Sequence, residues 1–193
     1  MSKSDFNMTT SRKQILAQLY NLTTSQTTGA LIIGEPGAGK TTIINAFQAL
    51  LGDKVPTFVI RSTLYNKGMN ASKNLSECFE ISLGLLSSRH DTQRTRFQRI
   101  INNYIEKTST TDSGYVVTFI DDVTNWSHDH FYWLIDLQNE LAAKNLKTGF
   151  FLVGTDKLEF VRHIFMDNSP QIYRRFMNDT IKVSKYESLS VSI

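Results

Sequence analysis

The chain has 193 residues, 40% of them apolar and 20% charged, with a formal net charge of +3. That length sets one domain, or one with a small extension, able to bury a sizeable core; the charge permits a nucleic-acid partner without arguing for one. A single cysteine excludes an internal disulfide, no apolar run approaches the roughly 18 residues of a membrane span, and the polar start Met-Ser-Lys-Ser-Asp-Phe-Asn-Met lacks the apolar segment of a secretion signal, so a cytoplasmic protein without a membrane partner is expected.

Taken in chain order, Ile15, Leu16, Leu19, Tyr20 and Leu22 predict an amphipathic helix over residues 10–22, and residues 23–28 read as a polar link. Residues 1–28 thus form an N-terminal helix and linker ahead of a core spanning 29–193. A short apolar strand leads to Gly34. The helix after it carries Ile43, Ile44, Phe47, Leu50 and Leu51 at helical spacing. Residues 57–60 form a second strand ending at Arg61-Ser62, and a loop over 63–71 leads to a helix with Leu75, Cys78, Phe79, Leu83 and Leu86. Cys78 lies in that apolar pattern and reads as a packed core residue, not a nucleophile. A further helix over about residues 92–107 shows the stripe Phe97, Ile100, Ile101, Tyr104 and Ile105. After a polar turn, residues 115–120 are almost wholly apolar, as in a buried parallel strand. A helix over about 127–144, a strand over 149–153, two short helices (156–165 and 170–177) and a strand at 180–183 complete the chain. Strands alternating with helices predict an α/β sandwich around a mostly parallel, five-stranded sheet.

The first strand runs into Gly34-Glu35-Pro36-Gly37-Ala38-Gly39-Lys40-Thr41-Thr42, which contains G-x-x-x-x-G-K-T. This is the phosphate-binding loop of nucleoside triphosphatases. Its glycines let backbone N–H groups converge on a phosphate, Lys40 sets a positive charge on the β- and γ-phosphates, and Thr41 offers a hydroxyl to Mg²⁺. The helix that follows aims its positive end at the same anion. ATP and Mg²⁺ are the expected cofactors.

The strand over 115–120 ends in Asp121-Asp122. Strand ends in a parallel sheet meet the ligand crevice. Asp121 there can hold Mg²⁺, and Asp122 can orient and deprotonate an attacking water. Alone, the pair would read as a solvated acidic turn. The strand Phe151 to Val153 ends in Gly154-Thr155. The Thr155 hydroxyl suits the γ-phosphate or the lytic water, and equally suits a helix N-cap. Arg174 and Arg175 precede Phe176 just before the last strand; one of them can reach a neighbouring subunit's γ-phosphate, or both can be a surface pair.

These features in this order resemble an AAA+ ATPase, a P-loop NTPase with an αβα sandwich. Within that group Phe-Leu-Val-Gly-Thr-Asp-Lys-Leu (151–158), Gln-Ile-Tyr-Arg-Arg-Phe (171–176) and Val-Ile-Arg-Ser (59–62) resemble transposition regulators of the TnsC/TniB type, with MuB more distant. The resemblance spans roughly residues 10–185. It implies an ATPase that assembles head to tail on double-stranded DNA, as a ring or helical filament, and recruits a transposase and a target selector. It also implies that Asp121 and Asp122 form the second motif, Thr155 the first sensor and Arg175 the finger, with Arg174 second.

The chain departs from that pattern in two places. Asp122 stands where the family usually has Glu; being one methylene shorter, it implies slow hydrolysis. The sequence also ends at Ile193 without the small helical lid and its second sensor arginine, as expected of a naturally short form or a truncated chain. For DNA, the most basic stretch holds Arg89, His90, Arg94, Arg96 and Arg99. Helical spacing sets Arg96 and Arg99 opposite Phe97, Ile101 and Tyr104, so they are expected to face solvent, where they can neutralise backbone phosphates or simply be solvated. A loop around Lys67 is a second candidate. Other functions compatible with the motifs are a helicase loader or initiator ATPase, a P-loop kinase for a small molecule, and a nucleotide-binding scaffold that hardly hydrolyses.

Overall fold

A computed structural model describes residues 10–62, 70–109, 111 and 113–184. The expected loop with Lys67 falls at 63–69 and lies outside the described residues. Five strands, β1 (Gly29–Gly34), β2 (Thr57–Arg61), β3 (Tyr115–Asp121), β4 (Lys147–Gly154) and β5 (Thr180–Val183), form one sheet in the order β2-β3-β4-β1-β5. Every pairing is parallel, with Ile33 opposite Gly154 and Arg61 opposite Asp121 at the strand ends. The helices are α1 (Thr10–Thr24), α2 (Lys40–Leu51), α3 (Ala71–Leu83), α4 (Gln93–Thr108), α5 (His128–Ala143) and α6 (Lys157–Asn168). A short segment, α7 (Pro170–Ile172), passes directly into a π-helical turn over Tyr173–Met177.

Helix ends follow local chemistry. Asn70 Oδ1 accepts the Lys73 N–H at 2.8 Å to open α3, and Thr92 Oγ1 accepts the Thr95 N–H at 3.1 Å to open α4. The sheet is buried on both faces, so its strands are continuous apolar runs whose alternate side chains serve different layers. Ala30 and Ile32 of β1 join Val117, Phe119, Phe151 and Val153 under α1 and α2. Leu31 and Ile33 join Ile60, Val116, Ile120, Phe150 and Leu152 under α3 to α7. Fully burying a side chain such as Phe119 or Phe150 stabilises by about 2 kcal/mol. Ile15, Leu16 and Leu19 of α1 belong to the α2 layer, which holds α1 against the sheet. Cys78 is buried in the other layer. A Tyr104 Oη···Thr118 Oγ1 hydrogen bond of 2.9 Å pins α4 to β3, and burial drives that phenol's pKa up. No helix among the described residues is long and apolar enough to cross a membrane.

Candidate functional site

The C-terminal ends of β1, β3 and β4 carry the three expected constellations. After Gly34 the backbone takes left-handed conformations at Gly37 (φ 78°) and Gly39 (φ 89°), where side chains would be strained. Gly39 is the residue from which α2 starts. Lys40 folds back across the loop, its Nζ donating to the carbonyls of Gly34 at 2.7 Å and Glu35 at 2.9 Å. Both acceptors are neutral, so a phosphate oxygen can replace them with a stronger, charge-assisted bond. Glu35, Pro36, Gly37 and Thr41 are exposed, Ala38 is buried, and Gly39, Lys40 and Thr42 are half-buried. The α2 N-terminus, with its unpaired N–H groups and positive dipole end, therefore faces solvent beside an ammonium.

Alternation along β3 sends Phe119 to the α2 layer and Ile120 to the other, so Asp121 falls on the α2 side of the sheet. It is half-buried. One carboxylate and one hydroxyl, completed by phosphate oxygens and water, make a hard-oxygen set that suits Mg²⁺. Among the described residues no cluster of three or more His, Cys, Asp or Glu side chains can hold a metal by itself. Asp122 is exposed with φ 64°, its N–H donating to Asp121 Oδ1 at 3.0 Å. Aspartate accepts this left-handed backbone better than most residues. The Trp126 indole Nε1–H donates to Ser62 Oγ at 2.6 Å, and the Ser62 N–H to the Asp121 carbonyl at 3.0 Å. Ser62 and Trp126 thus brace the acidic loop from the β2 side.

Thr155 stands at the tip of β4, which runs between β1 and β3, and so lies between the phosphate loop and the acids. Its hydroxyl does not cap α6. It is directed to Thr124 Oγ1 at 3.4 Å, and the α6 N-cap, Asp156, makes no side-chain capping bond. A cleft of about 510 Å³ beside the loop is lined by Ile33, Glu35, Asp156, Glu159, Lys182, Val183 and Ser184. Three acids against one lysine leave its lining net negative, which disfavours a phosphate there.

Arg174 and Arg175 lie at the other end of the sheet. The Arg175 carbonyl accepts the Thr28 hydroxyl at 3.0 Å, next to the start of β1. The phosphate loop begins five residues later, about 16 Å further along an extended strand. The Arg175 guanidinium donates to Gln138 Oε1 at 3.1 Å and Asn139 Oδ1 at 2.9 Å. Arg174 is exposed.

One expectation needs correction. Arg96 and Arg99 do not face open solvent. Arg96 donates to Glu80 Oε2 at 3.2 Å, while Arg99 reaches Glu80 Oε1 at 2.5 Å and Asp91 Oδ2 at 2.7 Å. The helical wheel names the face of α4 opposite Phe97, but α3 leans over part of it with a buried carboxylate. Arg99 keeps its proton more firmly than usual, mainly through its bond to Asp91. The Ser88 N–H and Arg99 together hold the Asp91 carboxyl below its ordinary range. Arg89 and Arg94 remain exposed. A residue with no signal in the sequence is Arg12, a cation of α1. Its Nη2 lies 3.5 Å from where a Cβ on Gly39 would sit, so α1 brings a second positive charge to the phosphate loop. Its place in an amphipathic helix 22 residues before Gly34 gave no signal.

Cdc6p from Pyrobaculum aerophilum resembles the chain over 95% of its residues, at 18% identity and a TM-score of 0.66. The match takes in 48% of that protein, so the chain spans about half its length. Drosophila ORC bound to DNA aligns with 90% of this chain and 89% of its own, at 6% identity and a TM-score of 0.49. No curated protein matches the chain. The likeness to Cdc6p and the parallel sheet give an α/β P-loop NTPase fold. The AAA domain family matches residues 9–161, most of the chain, and the chain belongs to that family.

Proposed function

We propose that the chain is an ATPase whose catalytic site is completed by a second copy, and that it acts as an ATP-dependent regulator of DNA transposition. The observation that supports the ATPase reading is the strand order, which sets the loop between β1 and α2, with Lys40 at the start of α2, beside the β4 and β3 tips that carry Thr155 and Asp121. In this reading Lys40 and the loop N–H groups hold the β- and γ-phosphates, with Arg12 adding charge. Thr41 and Asp121 hold Mg²⁺, which neutralises charge on the phosphates. Asp122 orients the attacking water and Thr155 contacts the γ-phosphate. The short Asp122 carboxylate implies slow turnover and a long-lived ATP state.

The need for a second copy follows from Arg174 and Arg175, which lie at the sheet end away from the chain's own phosphate loop. A head-to-tail contact brings that end onto a neighbour's nucleotide and builds rings or open helices. The tethering of Arg175 by Gln138 and Asn139 favours the exposed Arg174 as the trans-acting cation. Mixing Arg174→Ala with Lys40→Ala subunits, each inactive alone, tests this. Partial recovery of ATP hydrolysis is expected, because some interfaces join an intact loop to an intact arginine. No recovery in a mixture shown to co-assemble rejects the shared site.

The role in transposition rests on the resemblance of residues 59–62, 151–158 and 171–176 to TnsC/TniB-type regulators. It implies assembly on double-stranded DNA and capture of a transposase and target selector. Of the basic stretch, Arg89 and Arg94 are the residues still available for DNA phosphates. Capture of a replicative helicase, instead of a transposase, would assign the chain to the initiator or loader class, which uses the same site residues.

A further inference from the structure

The loop leaving β3 is fastened to the tip of β4 by three hydrogen bonds. The Val123 N–H donates to the Val153 carbonyl at 3.1 Å, the Thr155 N–H to Thr124 Oγ1 at 3.0 Å, and the Thr155 hydroxyl to the same Thr124 oxygen at 3.4 Å. Gly154 makes this approach possible. A Cβ there would lie 2.7 Å from Thr124 Oγ1 and collide with the Leu158 side chain. Thr124 is half-buried. A hydroxyl has two lone pairs and one proton. Thr155 occupies the acceptor side of Thr124 twice, and the Thr124 proton meets no acceptor among the described residues.

Asp122 sits between two fixed points. Asp121 is paired in the sheet with Arg61, and Val123 is bonded to β4. The left-handed Asp122 joins them. Thr155 is thus linked to Asp122 through Thr124 and Val123, across two peptide units. We propose that Thr124 is a positioning residue that ties Thr155 to Asp122, so that contact between the Thr155 hydroxyl and a terminal phosphate sets the aim of the Asp122 carboxylate. The proposal rests on the ATPase reading above and adds a link between its phosphate-sensing hydroxyl and its water-orienting acid. Nucleotide capture itself, made by Lys40 and the loop amides, does not pass through Thr124.

The test compares Thr124→Val, which removes the hydroxyl at similar volume, with Thr124→Ser, which keeps it. On the full chain, Thr124→Val is expected to lower the maximal rate of ATP hydrolysis about tenfold, the worth of one hydrogen bond that acts in the transition state. ATP affinity stays within about twofold, and Thr124→Ser stays within about twofold of the parent rate. A double Thr124→Val, Thr155→Val variant adds little to the loss from Thr155→Val alone, because the two act as a unit. A serine variant as slow as the valine variant, additive losses, or a Thr124→Val rate equal to the parent's overturns the tether while leaving the ATPase reading intact. A parent chain that binds ATP and never hydrolyses it overturns the ATPase reading itself. Should Thr124→Val not fold, the serine variant's rate and the same double-variant logic with Thr124→Ala decide.

Discussion

Lys40 and the arginines of α4 are cations in two quite different settings. The Lys40 ammonium is held by two neutral backbone carbonyls at the edge of the loop. Arg96 and Arg99 are held by Glu80, whose side chain is only 3% exposed. The first arrangement releases its cation cheaply to any stronger acceptor. The second does not, because drawing either arginine away leaves a buried carboxylate short of a partner. Positive charge in a sequence therefore marks an anion site only where its resting partners are weak.

Removing the Glu80 carboxylate breaks the second arrangement. Glu80→Ala empties a pocket between α3 and α4 while Arg99 keeps Asp91 and Arg96 keeps Glu77, and is expected to destabilise the fold by about 1–3 kcal/mol. Urea denaturation measures it, and nucleotide affinity of the folded fraction stays at the parent value. The first arrangement gives the opposite pattern. Lys40→Ala is expected to weaken ATP binding on the order of a hundredfold while the urea midpoint hardly moves, as calorimetry and denaturation of the same sample show. A large loss of stability in Lys40→Ala would erase the contrast.

The smallest effect is expected at the rim of the arginine network. The Asp91 carboxyl is depressed by the Ser88 N–H and Arg99. A lowered pKa in the folded state adds stability above the ordinary carboxylate pKa, and that stability is lost as pH falls through the folded value. Asp91→Asn is thus expected to lie closest to the parent at strongly acid pH and furthest below it at neutral pH, in urea midpoints taken across that range. A gap that widens on acidification reverses the sign and removes Asp91 from the network.

The elements were largely legible because the chain punctuates them strongly. β1 ends where the loop glycines start, α3 opens at Asn70, and Pro170 starts α7. β4 begins at Lys147, two residues ahead of its apolar run, because backbone pairing with Tyr115 continues past the buried stretch. The phosphate loop could be read from its spacing alone, since all its residues are adjacent. Glu80, Arg12 and Thr124 could not. Each acts on a residue from another element, and a helical wheel shows which face a side chain takes but not what covers it. The wheel put Arg96 and Arg99 on the correct side of α4, and α3 decided their partners.

The π-helical turn over Tyr173–Met177 works as a reading frame for the two neighbouring arginines. Successive residues of a helical turn point in different directions, so Arg174 and Arg175 cannot share one. The present frame sends one to the amides of α5 and leaves the other outside. Losing one residue between Pro170 and Arg174 would move the frame by one step, setting Arg175 where Arg174 now stands and Arg174 where Tyr173 stands, and no amino-acid substitution would be needed. Length changes in this short segment are then a direct genetic route for altering which arginine meets a neighbouring molecule.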